Sequence, residues 1–262
     1  MDRALSILSS WAGSLSGVHF SDARGPEGLR LYAIGDVHGR LDLLEAMHDR
    51  VADDLREGPA ADFRIVHLGD YTDRGPDSKG VLDFLIAQRE SDPRNIALMG
   101  NHDEGFSAFL LDADPHGLFA GNGGEKTARS YGVDIDFSSA KRALIGRDAL
   151  LGAMPAAHAT FLRSLPRSIA FGDFFFCHAG IRPGVPLEAQ DPRDLIWIRW
   201  DFLDHRGLFE KVVVHGHTPV PEPEILPNRV DVDTGAFKTG RLTALVIDGG
   251  EKRLIEVSDS QW

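Results

Sequence analysis

The chain has 262 residues, 42% hydrophobic and 26% charged, enough to bury a sizeable core as one large domain or as a domain carrying an insertion. A formal charge of −12 argues against broad binding to nucleic acid or an anionic membrane surface, which needs a basic face, although it leaves room for a local positive site. The single cysteine, Cys177, excludes an intrachain disulfide and fits a reducing compartment.

The N-terminal ALSILSSWAGSLSGVHF is mildly apolar and serine-rich. It lacks a compact apolar centre and reads as a helical or frayed leader rather than a signal peptide. No apolar run approaches the ~20 residues of a membrane span, so a cytoplasmic protein is expected. LRLYAIGDVHG then reads as a strand running into a Gly-bounded turn, and LDLLEAMHDRVADDLREG as a helix with a Gly stop. The pattern repeats with DFRIVHLGD (strand), KGVLDFLIAQRES (helix) and NIALMGNHDE (strand and turn). Strand–helix–strand at this spacing predicts right-handed parallel crossovers. Residues 105–165 read as a mostly helical cap inserted into the sheet, interrupted by GNGGEK. SIAFGDFFFCHAG, EKVVVHGHTPV, RVDVDTGA and RLTALVIDGG follow as β-rich segments suited to a second sheet. The sum is a layered α/β domain with mixed sheets.

The informative polar residues each follow an apolar strand: GDVHG at 35–39, GDYTDRG at 69–75, GNHD at 100–103, HAG at 178–180 and GHT at 216–218. GDYTDRG alone reads equally well as a solvated turn, since Gly and Asp are ordinary turn formers. In open α/β sheets, however, ligands bind beyond the carboxyl ends of strands, and these strand ends all carry Asp, Asn or His. Asp36 and His38 are two apart and would share one side of an extended backbone. Asp70 has two oxygens and can bridge two ions, Asn101 offers a carbonyl oxygen, and His178 and His217 offer imidazole nitrogens. A mixed N/O donor set without thiolate suits Mn, Fe or Zn, and two such ions could clamp an in-line displacement at phosphorus. His67 and His178 also read as core histidines, Cys177 as a buried strand residue, and His48, His116, His158 and His205 as surface positions.

In this order the motifs resemble the phosphoprotein phosphatase family of calcineurin-like metallophosphoesterases, with bacterial and bacteriophage lambda-type serine/threonine protein phosphatases nearest in style. CHAG at 177–180, WIR at 197–199, GHTP at 216–219 and VDTGA at 232–236 extend the resemblance over roughly residues 30–250. It implies one domain over 1–262, with a leader at 1–29, the cap at 105–165 and metallophosphoesterase-type mixed β-sheets flanked by helices. It further implies that Asp36 and His38 bind a first metal, that Asp70 bridges, and that Asn101, His178 and His217 bind a second. Manganese is the metal first expected. His102 would be the general acid, Asp73 its orienting partner, and Arg74 and Arg199 the phosphate-binding groups. His215 competes with His217 within HGH, and Arg206 with Arg199.

The activity so implied is hydrolysis of a phosphomonoester, on a phosphorylated protein or a small substrate, by direct attack of a metal-held hydroxide. A second reading is hydrolysis of symmetric dinucleoside polyphosphates or RNA caps by a related branch, whose first motif typically carries Gln in place of His38. A third is a binding module without catalysis, which would be expected to have lost a ligand, His102 or Arg74; all are present.

Overall fold

The computed structural model describes residues 17–58 and 60–259. Its elements in chain order begin with β1 (Leu29–Ile34), α1 (Leu41–Glu57), β2 (Asp62–His67), α2 (Ser78–Ser91) and β3 (Asn95–Ala97). Five helices follow: α3 (Asn101–Leu111), α4 (Leu118–Gly121), α5 (Gly124–Ser130), α6 (Ala140–Ala153) and α7 (Ala156–Ser164). Then come β4 (Ser168–Phe171), β5 (Phe174–Cys177), α8 (Asp194–Trp197), α9 (Trp200–Leu203), β6 (Val212–His215), β7 (Glu224–Ile225) and β8 (Arg229–Asp231). The last elements are α10 (Ala236–Thr239), β9 (Arg241–Asp248) and β10 (Glu251–Ser258).

The strands form two five-stranded sheets, ordered β10-β9-β1-β2-β3 and β4-β5-β6-β8-β7. Both are mixed. β1, β2 and β3 run parallel, as do β5, β6 and β8, while the hairpin β9–β10 and the strands β4 and β7 pair antiparallel. Period-two alternation explains how the sheets stack. Leu31, Ala33, Phe174, Phe176, Val212 and Val214 point into a core shared by the two sheets. Tyr32 and Ile34 turn the other way and pack on Leu43, Met47 and Val51, a stripe of α1 at helical spacing. Phe175, Cys177 and Val213 likewise pack outward against a cluster that includes Phe106 and Phe202.

Three expectations are corrected. RLTALVIDGG does not join the second sheet, because β9 pairs antiparallel with β1 from Arg30↔Asp248 to Ile34↔Ala244. An apolar run specifies a strand but not its partner. The helical stretch is not inserted within a sheet either: α3–α7 connect β3, an edge of the first sheet, to β4, an edge of the second. GNHD, expected as a strand end, opens α3, whose first residue is Asn101. Of the leader expected over residues 1–29, residues 1–16 lie outside the described residues, and from residue 17 to residue 28 the chain is neither helical nor frayed. Val18 N–H donates to Phe209 C=O at 2.9 Å and Phe20 N–H to Pro227 C=O at 2.7 Å, docking this stretch on the second sheet's end of the molecule.

Candidate metal centre and active site

The carboxyl ends of β1, β2, β3, β5 and β6 lead into one place. Gly216 N–H donates to His178 C=O at 2.9 Å, and His38 N–H to Asp70 C=O at 2.8 Å, tying the loops to each other. Among the described residues, the non-glycine positions with positive φ are His38 (45°), Asp70 (55°), Asp73 (69°), Arg74 (65°) and His217 (71°). Left-handed backbone is unfavourable for such residues and persists where the surroundings hold it. All five belong to the predicted site. His38 therefore leaves β1 in a bend, not on the extended backbone expected from its spacing to Asp36.

Two groups of buried ligand atoms converge, His38–Asp70–His102 and Asp70–His178–His217, each with its atoms within 4.8 Å of one another. Asp70 belongs to both. Its Oδ2 lies 3.3 Å from His38 Nε2 and its Oδ1 3.4 Å from His178 Nε2. Asn101 Oδ1 completes the second group, 2.9 Å from both His178 Nε2 and His217 Nδ1. Asp36 borders it: the carboxylate accepts from His217 N–H at 3.2 Å and stands 3.9 Å from His178 Nδ1.

The tautomers test whether metal fits. His178 Nδ1 faces Leu68 C=O at 3.0 Å, and His38 Nδ1 faces Thr72 C=O at 2.7 Å. Carbonyls only accept, so both Nδ1 atoms carry the proton and both Nε2 atoms present lone pairs to Asp70. Lone pairs of His178 Nε2, the Asp70 carboxylate and Asn101 Oδ1 thus point at one another, whereas His217 accepts from Arg199 at Nε2, so its Nδ1 carries the proton here and becomes a ligand atom only once Arg199 turns away. A cation between them resolves that repulsion, and the N/O donor set suits a borderline divalent ion. The residues present fit such ions.

Burial favours the neutral histidines that can act as ligands, lowering His178 to about 4 and depressing His217 too. Burial also raises Asp36 well above the usual carboxylate range, reinforced by Asp233 and Asp70. Asp70 goes the other way: burial opposes its ionisation, but His178, His102 and His38 hold it well below that range.

His102 stands at the start of α3. Its N–H donates to Asp70 Oδ1 at 3.0 Å, and its ring points away from Asn101 because neighbouring residues on a helix diverge by about 100°. His102 Nδ1 faces Asp73 Oδ2 at 2.7 Å, while Nε2 accepts from the Arg74 guanidinium at 2.8 Å. Burial lowers the His102 imidazole and pushes the Asp73 carboxyl up to about 8. Arg74 also donates to His38 Nε2 at 3.0 Å, and Arg199 Nε to His217 Nε2 at 3.0 Å. Both arginines therefore reach the cluster, Arg199 although it is itself exposed, whereas Arg206, in the loop after α9, makes no hydrogen bond to it among the described residues.

His215 points elsewhere. It is fully buried, with Nδ1 at Gly216 C=O (3.0 Å), Nε2 facing Arg229 at 3.3 Å and its ring edge-on to Phe202. Cys177 is buried as expected, its thiol pushed up to about 12. His67 is a core histidine stacked on His48. The expectation of a surface His158 is wrong: it is buried between Tyr131 Oη, 2.7 Å from Nδ1, and Asp83, 2.8 Å from Nε2. A lone histidine on a short helix gives no sign of such partners.

One residue that sequence reasoning passed over is central to the loops. Asp103 accepts from the N–H groups of Asp70 (2.8 Å), Tyr71 (3.0 Å) and Gly100 (3.1 Å). It joins the GDYTDRG turn to the first turn of α3. The available signal was an acidic residue three places after Gly100, the position from which a side chain reaches back to a helix N-terminus.

The chain belongs to the metallophosphoesterases: the model of the family described as calcineurin-like phosphoesterase matches residues 29–244. Among named relatives, the bis(5'-nucleosyl)-tetraphosphatase PrpE [asymmetrical] of Oceanobacillus iheyensis is 26% identical over 254 residues, covering 89% of this chain and 94% of that protein. The protein of the same name from Bacillus mycoides is 28% identical over 240 residues, with 81% and 88% covered. Among solved structures, one whose name carries diadenosine tetraphosphatase as a provisional assignment aligns with a TM-score of 0.60 at 20% identity, over 88% of this chain and 94% of the other. A cold-active protein tyrosine phosphatase aligns with a TM-score of 0.52 at 16% identity, over 90% and 82%. At such identities the structural likeness is one of fold. Among the described residues no helix is long and apolar enough to cross a membrane.

Proposed function

We infer that the protein hydrolyses dinucleoside polyphosphates, cleaving a dinucleoside tetraphosphate asymmetrically, with two divalent ions, manganese first among them. The observation that carries this reading is the twin ligand cluster sharing Asp70, flanked by Arg74 and Arg199, in a chain matched over most of its length by relatives named as asymmetrical tetraphosphatases. It displaces protein serine/threonine phosphatase as the first reading. The Gln expected in symmetric dinucleotide hydrolases does not count against it, because the relatives are named as the asymmetrical kind.

On the family pattern Asp36, His38 and Asp70 would hold one ion, although the Asp36 carboxylate stands here beside His217 and His178, and Asp70, Asn101, His178 and His217 the other. Bound there, the two ions supply charge for the phosphoryl oxygens and an activated water. Arg74, partly buried, and Arg199, exposed at the rim, would turn from the histidines they contact here to the phosphate, adding two positive charges beside the buried ligand cluster. The −12 overall charge is spread over a surface mostly beyond a Debye length of ~8 Å, so the local field governs binding. His102, once protonated at Nε2, would donate to the leaving oxygen, with Nδ1–H held by Asp73.

That dyad favours a second reading. A proton donor fixed by a carboxylate suits a poor leaving group such as a serine alkoxide, so phosphomonoester hydrolysis on protein or small substrates stays open as a further activity. Steady-state kinetics with Mn²⁺ test the ranking: kcat/KM for diadenosine tetraphosphate should exceed that for phosphoserine and phosphothreonine peptides. The reverse order would restore the protein phosphatase reading.

A further inference from the structure

The helical stretch between the sheets reaches the site through one short segment. Gly123 has a φ of +102°, and a Cβ there would stand 2.7 Å from the Arg74 backbone nitrogen, so only glycine fits without moving that turn. Lys126 Nζ donates to Arg74 C=O at 2.7 Å. Thr127, on α5, is fully buried. Its hydroxyl donates to Asp73 Oδ1 at 2.9 Å and accepts from Asp73 N–H at 2.8 Å, and Ser78 Oγ lies 2.9 Å away. One proton and two lone pairs are all a threonine hydroxyl has, and here each has a partner.

Asp73 is thereby held at both ends. Its backbone is fixed at a left-handed φ of 69°, and its carboxylate is divided, Oδ1 to Thr127 and Oδ2 to His102 Nδ1. Without the hydroxyl, Oδ1 is a buried oxygen lacking its donor, and the carboxylate can rotate away from His102 to find another.

We propose that Thr127 is a positioning residue: from the helical stretch, it sets the rotation of the Asp73 carboxylate and so the aim of the His102 ring. The proposal rests on the reading of His102 as proton donor. Lys126 and Gly123 serve the same end by holding Arg74, so residues 123–127 clamp the Asp73–Arg74 turn from outside the sheets. Substitutions elsewhere in α5 that shift this segment should then change catalysis without touching substrate.

The test uses Thr127→Val, of matching shape, and Thr127→Ser, which keeps the hydroxyl, with His102→Asn as reference. Each Mn²⁺-loaded protein is assayed on phenyl phosphate and on 4-nitrophenyl phosphate, whose phenolate leaves more easily. Thr127→Val should lower kcat on phenyl phosphate about 10- to 100-fold and on the nitrophenyl ester much less, with KM little changed and Thr127→Ser close to the parent. In ¹⁵N-histidine-labelled protein the downfield Nδ1–H signal of His102, assigned by its loss in His102→Asn, should persist in Thr127→Ser and vanish in Thr127→Val. Equal losses on both esters, or an unchanged signal in Thr127→Val, would overturn the proposal. If His102→Asn itself loses equally on both esters, the proton-donor reading falls, and the signal alone decides whether Thr127 positions the ring. Thr127→Ala, read the same way, replaces the valine variant if that one fails to fold.

Discussion

His102 Nδ1 lies 2.7 Å from Asp73 Oδ2, although Asp73 leaves β2 and His102 opens α3 on the far side of β3. The pairing leaves only Nε2 of His102 free of Asp73, whose other carboxylate oxygen is held by Thr127. The proton-donor role is testable through the leaving group. General acid catalysis is worth typically 10²–10⁴-fold, or about 3–5 kcal/mol of barrier. His102→Asn should cost that much on phosphoserine or phenyl phosphate and far less on 4-nitrophenyl phosphate, with metal content near normal. Asp73→Asn should follow the same pattern more weakly. Uniform losses would mean that His102 acts by binding phosphate.

Asp70 offers one oxygen to each ligand cluster, so its loss should be felt by both. Asp70→Asn should lower the occupancy of two ions, read by elemental analysis after gel filtration. Retention of two tightly held ions in the variant would remove Asp70 from the bridging role.

The HGH motif makes a sharper comparison. His217 faces Asn101 and His178, while His215 is turned to Arg229 and Phe202. His217→Ala should lose metal and most activity while its melting temperature without metal changes little. His215→Ala should instead lower stability by about 2–3 kcal/mol, leaving Arg229 with a lost acceptor and Phe202 with a cavity. Denaturation of the metal-free proteins separates the two.

Far from the site, Asp54 joins α1 to the first sheet. It accepts from Tyr32 Oη at 2.7 Å, Arg253 at 2.5 Å and Arg30 at 3.2 Å. Burial works against its charge, but the Tyr32 hydroxyl and the Arg253 and Arg30 guanidinium groups hold its carboxyl below the usual range. A depressed carboxyl contributes stability that is complete above the unfolded value of ~3.9 and is lost as pH falls through the folded one. Asp54→Asn should therefore be less stable than the parent by about 1–3 kcal/mol at pH 7. The gap should narrow below about pH 4, as measured by urea denaturation across pH.

Much of this was legible in the sequence because each candidate ligand follows an apolar strand, and the parallel strands bring their carboxyl ends together. Asp36, His38, Asp70, Asn101, His178 and His217 were nameable from that pattern, and the layered α/β class from the strand–helix alternation. Pairings over long separations were not legible. Nothing in RLTALVIDGG distinguishes a neighbour of β1 from a member of the second sheet, since both environments ask for the same apolar residues. Asp103 lay inside a motif, yet its three backbone partners appear only once the turn is folded. Thr127 carried no signal at all, because a threonine 54 residues from Asp73 looks, in sequence, like any other helix residue. The assignment of substrate was not legible either, since the motifs define chemistry at phosphorus and leave open what is attached to it.

The place of β9 bears on how this chain comes off the ribosome. β1 is made well before its antiparallel partner, which runs from Arg241 to Asp248, so the centre of the first sheet has an open edge while the residues between them are added. His178 and His217 also emerge long after Asp36 and His38. A growing chain can hold early helices and the β1–β2–β3 pairing, but neither a sealed sheet nor the full cluster of Asp36, His38, Asp70, Asn101, His178 and His217. Such late closure of non-local contacts slows folding and exposes an unpaired strand meanwhile. Early translation products should thus lean on chaperones, and ion uptake should require chains extended at least past His217.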